Sequence, residues 1–433
     1  MSIKRGLLIN TSINLAGYIY LLLASFFSIR YLLENLGSAN FGIFVLLGSV
    51  VSISSVFDLG LSTAIVRKLS IPHTTQEEKN NIWQTSFYLF LILALLVSVS
   101  AFLILLYLSK SLPIFSAINS NNLFWTSLII AVTVFFNHLE IHLLNIPQAQ
   151  QKFGVFNSKT FIVGSANTIF SAFLSFYITN LLAIFGLQLF FHLVTFCYMI
   201  FYCYGYFSGK TFLPKYHKTE GKDLLHFGLK NYVGNIASQV DAQITKYFLG
   251  TFSTAQAITV FYIPQNIVMK GAGLVSQVAQ AVFPFSASLL EKDRIRKLKK
   301  LIIGLESLVF LGGILAIVLT YTVGHAFLLW WLKDPIIVDA SYPVLVILSY
   351  YFLLVSLTPI PSVLVQGLNK PQITSFFAVL TVFIEAIIMI VLVPSLGAIG
   401  AAQSILISSC ITVPAFLVTS WVLMEKEIKK LSA

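Results

Sequence analysis

The chain has 433 residues, of which 57% are apolar and only 10% charged, with 27 Lys and Arg against 16 Asp and Glu for a formal charge of +11. Soluble domains carry about 25% charged residues, and a single water-facing core stops growing at roughly 250–300 residues, so this composition excludes a protein whose surface is mainly in water. The basic excess, which would suggest nucleic acid in a soluble chain, has to be read by its position along the chain instead.

A helix that crosses hydrocarbon needs about 20 mostly apolar residues. The sequence predicts an all-α membrane protein with about twelve such helices, over residues 7–33, 41–66, 82–108, 123–145, 155–179, 181–207, 224–249, 255–285, 301–323, 342–366, 373–393 and 398–424. Lys4 and Arg5 resemble the start of a signal peptide, but the run after them is too long for a signal core and reads as a retained first span. Sorting the 27 Lys and Arg among alternate loops leaves only Arg30, Lys110 and Lys333 on one side. Lys246 and Lys270 fall within spans, and all the rest lie on the other side, which identifies it as the cytoplasm and places both termini there. The outer loops are short, the longest being about 324–341, and hold no room for a catalytic domain, so an enzyme is not expected. Cys197, Cys203 and Cys410 all lie in apolar stretches and read as small hydrophobes.

The basic connection 208–223 divides the spans into an N-terminal six-helix bundle over 1–207 and a C-terminal one over 224–433. Two local patterns recur between the halves at nearly one offset, about half the chain length. Ile29-Arg30-Tyr31-Leu32-Leu33 matches Thr245-Lys246-Tyr247-Phe248-Leu249, and the Gln148–Lys152 segment matches Gln366–Lys370. Six spans per half make this a parallel repeat with a pseudo-two-fold axis along the membrane normal, an arrangement characteristic of transporters.

Ionisable groups in the spans are the functional candidates, because each is costly in hydrocarbon unless it faces a cavity, a partner or the interface. In the seventh span Asn231, Asn235, Ser238, Gln239, Gln243 and Lys246 fall in an arc of about 140°, with Asp241 about 60° beyond its edge. This stripe is expected to line a wet cavity or a polar helix interface, and Lys246 either joins it or snorkels outward. Lys270 falls near mid-depth of the eighth span beside Gly271 and Gly273 and six residues after Pro264, a setting that admits an unwound turn or a close neighbour. Arg30, Lys246 and Lys270, with Asn235, Gln239 and Gln243, would suit an anionic ligand such as phosphate. Asp58, Glu140, Asp241 and Glu385 are candidates for coupling to H+ or Na+, with structural pairing as the alternative. Glu306 reads as a side chain that reaches the cytoplasmic interface. His138-x-Glu140-x-His142 lacks the H-E-x-x-H order, and the phosphate-loop-like stretch from Gly205 to Thr211 follows a membrane helix rather than a strand, so neither a metal nor a nucleotide cofactor is expected.

Several stretches together carry a family resemblance. Arg30-Tyr31-Leu32, Leu36-Gly37, Phe41-Gly42-Ile43-Phe44 and Phe57-Asp58-Leu59-Gly60-Leu61-Ser62 with Arg67 resemble the start of the Wzx-type polysaccharide-unit flippases. These belong to the multidrug/oligosaccharidyl-lipid/polysaccharide exporter superfamily. The likeness continues through 148–157, 227–250, Pro264 to Pro284 and 366–370. It implies a bacterial inner-membrane transporter of two six-helix bundles that moves undecaprenyl-pyrophosphate-linked oligosaccharide to the outer leaflet by alternating access, driven by an ion gradient. Membrane lipids and a glycan polymerase are the implied partners, and nucleic acid is not among them. The positions that match the family's cationic cavity residues are Arg30, Lys246 and Lys270. Lipid II flippases carry more cavity cations and two further helices, which argues against a peptidoglycan precursor. The competing reading is a drug/cation antiporter of the related multidrug type.

Overall fold

The computed structural model describes residues 3–71, 75–116, 118–207, 212–287, 292–368 and 370–432, with only the backbone described for 3–15, 230–231, 233–235, 238, 278, 280–287, 292–301 and 427–432. Among the described residues every regular element is helical. In chain order these are α1 (Ile3–Ser54), α2 (Leu61–Leu69), α3 (Gln76–Ser111), α4 (Ser120–Ala149), α5 (Phe153–Phe156), α6 (Ser158–Ser165), α7 (Ser171–Ser175) and α8 (Leu181–Tyr206). They are followed by α9 (Lys218–Phe252), α10 (Ala255–Ala287), α11 (Lys292–Leu319), α12 (His325–Leu332), α13 (Pro335–Ser356), α14 (Pro359–Gly367) and α15 (Pro371–Ser432). Single π-helical turns, Ala166–Phe170 and Thr320–Gly324, join α6 to α7 and α11 to α12.

Two helices are far longer than a bilayer is thick. At 1.5 Å per residue, a straight α15 of 62 residues would run on the order of 90 Å, against a hydrocarbon thickness of about 30 Å. Each is broken once, at a glycine: Gly37 (φ 75°, ψ 162°) in α1 and Gly397 (φ 54°, ψ −126°) in α15. Glycine takes such angles without the Cβ clash that penalises other residues. Both fall in the gaps that the sequence leaves between neighbouring spans. Among the described residues, seven helical stretches are long and apolar enough to cross a membrane, against the twelve segments expected of the whole chain. Two of the seven, Ala16–Asp58 and Pro371–Lys426, contain those glycine breaks. The expected span over 155–179 is shared among α5, α6, a π turn and α7, none of which has spanning length alone.

The chain divides into two compact units, Met1–Ile236 and Ala237–Ala433. In the first, α4 is the central helix and packs on α3, α8, α2 and α1. Trp83, Leu143, Met199, Cys203 and Phe207 form one core cluster, and Leu61, Ile65, Phe90 and Leu224 another. Between α1 and α2 the chain turns sharply through Leu59 (φ 54°) and Gly60 (φ 70°), and Asp58 Oδ1 accepts the Gly60 N–H at 2.9 Å to close the turn. The turn lies directly against the backbone of α9, where a Cβ at Gly60 would overlap the carbonyl of Gly228. Lys68 pairs with Asp223 at 3.0 Å, and the Arg67 guanidinium sits 4.4 Å from the centre of the Phe227 ring. These contacts explain why the first part of α9 belongs to the first unit.

In the second unit α13 packs on α10, α11 and α15, while α14 packs on α10 and α15. α10 runs unbroken through Pro264, so of the two settings expected around Lys270 the structure has the close neighbour: a Cβ at Gly271 would come 2.9 Å from the Phe352 ring. All three cysteines are free. Of the expected connection 208–223, residues 208–211 lie outside the described residues, as does the last part of the phosphate-loop-like stretch.

Candidate functional site

Each unit holds buried acid, and the two arrangements differ. In the first unit Glu140 of α4 is fully buried. Its Oε2 accepts from Lys159 Nζ of α6 at 2.9 Å, and His192 Nδ1 of α8 lies 3.1 Å from both carboxylate oxygens. Lys159 also donates to Asn137 Oδ1 at 2.7 Å. Two other helices thus bring an ammonium and an imidazole to one carboxylate, and Asn137 of Glu140's own helix holds the ammonium. The π turn before α7 adjoins the cluster, because Ser171 accepts from Gln188, one turn before His192. Such turns occur frequently at functional sites. His138 and His142 flank Glu140 in sequence but enter other surroundings. His138 Nδ1 bonds the Val134 carbonyl at 3.1 Å, and the His142 ring stacks on Trp83 at 4.6 Å among Phe87 and Phe90.

In the second unit Asp241 of α9 and Glu385 of α15 lie within hydrogen-bonding reach of each other. Glu385 is 2% exposed, and Thr245 donates to its Oε1 at 3.4 Å. Asp241 Oδ1 is buried with no hydrogen-bond partner among the described residues. Asp241 opens on a cavity of about 270 Å³ lined also by Tyr351, by six Ser and Thr residues (Thr358, Ser362, Thr374, Thr381, Ser409 and Thr412) and by the apolar Val355, Phe377, Ala378, Val413 and Phe416. Thr381 donates to Thr412 at 2.9 Å, while the Thr374 hydroxyl is buried without a partner. Two bare negative charges at this separation repel strongly, so a pair of adjacent carboxyls is a place that can take up a shared proton or a small cation.

The cations are dispersed. Lys246 is buried at 8% exposure, donates to Gln243 Oε1 at 2.6 Å and lies 5.4 Å from the centre of the Tyr262 ring. Its burial does not fit a side chain that snorkels outward. Lys270 is half-buried in α10. Arg30, in the first unit, stands 5.4 Å from the Tyr31 ring centre, with its Nε buried and unpartnered among the described residues. Gln239 is exposed, Asp58 is committed to its turn, and the side chain of Asn235 lies outside the described residues. The structure therefore joins Gln243 to Lys246 and Asp241 to Glu385.

Sequence reasoning missed Lys159, His192, Tyr262, Tyr351 and the hydroxyl-rich cavity wall. Lys159 counts among the cytoplasmic basic residues in sequence yet folds back on Glu140; His192, four residues after Gln188 inside an apolar span, was the available signal for a polar interior.

The model of a family described as "Polysaccharide biosynthesis protein" matches residues 7–290. A Shigella flexneri protein designated an O-antigen transporter is 24% identical over 408 residues, which cover 91% of this chain and 93% of that protein. Among solved structures, the lipid II flippase MurJ in an inward closed conformation aligns with a TM-score of 0.75 at 14% identity, over 97% of this chain and 90% of that one. An inward-facing MATE multidrug resistance transporter of the MOP superfamily aligns with a TM-score of 0.72 at 16% identity, over 96% of each chain. At such identities the structural likeness is one of fold.

Proposed function

The chain belongs to the polysaccharide biosynthesis protein family, and from that premise we propose that it is a flippase for undecaprenyl-pyrophosphate-linked oligosaccharide units. On this reading it is a multi-pass protein of the bacterial inner membrane with both termini cytoplasmic. Twelve spans form six-helix bundles from 1–207 and 224–433, linked by 208–223 and related by a pseudo-two-fold axis along the membrane normal. The bundles expose the substrate alternately to each leaflet, and a gradient of H+ or Na+ drives the exchange. Arg30, Lys246 and Lys270, with Asn235, Gln239 and Gln243, hold the pyrophosphate and acidic sugars. Of the four carboxyl candidates, Asp241 and Glu385 take the coupling ion, since Glu140 already has its own base and Asp58 its own turn.

The observation that carries the reading is Lys246, a lysine at 8% exposure that is held by an amide and an aromatic face and has no carboxylate partner among the described residues. A buried cation left without an internal anion is stabilised by an anionic ligand. Deletion of the protein is expected to leave lipid-linked repeat units on the cytoplasmic leaflet and to abolish surface polysaccharide. Normal surface glycan in a strain with no second flippase overturns the proposal. Lys270→Ala should impair export while the protein still inserts, and unchanged export removes Lys270 from the site. A drug-susceptibility phenotype with intact glycan would favour the antiporter instead.

A further inference from the structure

A second concavity in the second unit shares no lining residue with the one beside Asp241. It has a volume of about 550 Å³ and is walled by α11, α14 and the C-terminal part of α15. Its floor is the cluster of Ala279, Ile302, Ile360, Leu364 and Met424. The neighbouring outward side chains of α11 are apolar and open, with Leu308 at 66% and Leu311 at 62% exposure, so in a membrane-spanning chain this face meets lipid tails. Phe310, Leu311, Leu417 and Trp421 complete a greasy lining, and Glu306 is the one ionisable group among the lining residues.

Glu306, which in sequence reads as reaching the cytoplasmic interface, lines this groove in the structure. Its Oε1 is buried and has no hydrogen-bond partner among the described residues. Six residues separate it from Lys300 at the basic start of α11, a rise of about 9 Å along a helix, so a headgroup that dips along the groove from that end can reach it. An acceptor left unpaired there is costly. The group that relieves it must reach the groove from the lipid side, carry positive charge, donate N–H and bring apolar mass for the rest of the lining.

We propose that this groove binds one phosphatidylethanolamine molecule, with its ammonium on Glu306 Oε1 and an acyl chain along Phe310, Leu311 and Leu417. Choline headgroups carry the charge but no N–H donor, and glycerol headgroups leave the lipid net negative beside a carboxylate. The expected order is therefore ethanolamine, then choline, then glycerol. The inference rests on the groove alone and stands or falls independently of the transport reading.

The test is native mass spectrometry of the full chain in detergent, titrated with dioleoyl phosphatidylethanolamine, phosphatidylcholine or phosphatidylglycerol. Phosphatidylethanolamine is expected to bind the unmodified protein about tenfold more tightly than phosphatidylglycerol, the factor that about one charge-assisted hydrogen bond supplies. Glu306→Gln should erase that preference, and Leu417→Trp, which fills the groove, should weaken ethanolamine binding while leaving the elution volume on size exclusion unchanged. Equal binding of the three lipids to the unmodified protein overturns the proposal, even if Glu306→Gln fails to fold. Full preference retained by a folded Glu306→Gln overturns it as well, as does saturable uptake of tetraphenylphosphonium that phosphatidylethanolamine cannot displace.

Discussion

Glu140 and Glu385 are both glutamates buried in the middle of helices, yet their surroundings solve the same problem in opposite ways. Glu140 is met from two other helices by Lys159 and His192, and the lysine is held in turn by Asn137 of Glu140's own helix. Glu385 is met by a second acid, Asp241, and by hydroxyls. The first cluster supplies its own positive charge and has little left to offer a passing ion. The second has no ion pair to a basic side chain among the described residues and opens on a cavity. Burial of an acid therefore says little by itself about function; what distinguishes a structural acid from a coupling one is whether the fold provides its counter-charge.

The comparison is broken most severely at Lys159. Lys159→Met leaves the Glu140 carboxylate buried with only His192 beside it, and loss of one partner from a buried ion pair costs about 3–5 kcal/mol. Thermal unfolding in detergent should show that loss, and Lys159→Met combined with Glu140→Gln should recover most of it. If Lys159→Met is as stable as the parent, Glu140 is not held as a structural ion pair. The complementary change, Asp241→Asn with Glu385→Gln, removes charge that the unit does not neutralise, so unfolding temperature should hold or rise. Flipping in proteoliposomes should lose its dependence on an imposed ion gradient. Retained gradient dependence would move coupling out of this pair.

His192 gives a smaller effect. His192→Phe keeps the ring volume but removes the Nδ1 contact to both Glu140 oxygens, while Lys159 continues to neutralise the carboxylate. A hydrogen bond to a charged group contributes about 1.5–3 kcal/mol, so the destabilisation should be clearly below that of Lys159→Met. Were it larger, the imidazole and not the lysine would be the main partner of Glu140.

Much of the fold is legible in the sequence because hydrophobic run length reports directly on spanning helices. The glycines at 37 and 397 sit where one long helix has to become two. Pairing is far less legible. Asp241 and Glu385 are on α9 and α15, and no local spacing links residues so far apart. Lys159 looks like one more cytoplasmic lysine because charge sorting reads loop position and not side-chain direction. The apolar turns that carry Tyr351 and Thr381 resemble ordinary span sequence, and their hydroxyls acquire meaning only when α13 and α15 face one cavity.

A third acid shows what pairing is worth once water competes. Glu78, in the first turn of α3, accepts from the Thr75 backbone N–H at 2.8 Å, while Thr75 Oγ1 accepts from the Glu78 N–H at 3.2 Å. These two hydrogen bonds form a capping box, and they hold the Glu78 carboxyl below the usual carboxylate range, with the Thr75 backbone as the larger cause. A carboxyl whose folded value is lowered stabilises the fold above its unfolded value of about 4.3, and that contribution disappears as pH falls through the lowered folded value. Glu78→Gln should therefore speed amide exchange in the first turn of α3 at neutral pH without a measurable change in global unfolding. The difference from the parent should shrink at pH values below the carboxylate range. A global effect as large as that of His192→Phe would mean that an exposed acid at a helix start matters as much as a buried one, and the contrast between the two buried clusters would lose its basis in desolvation.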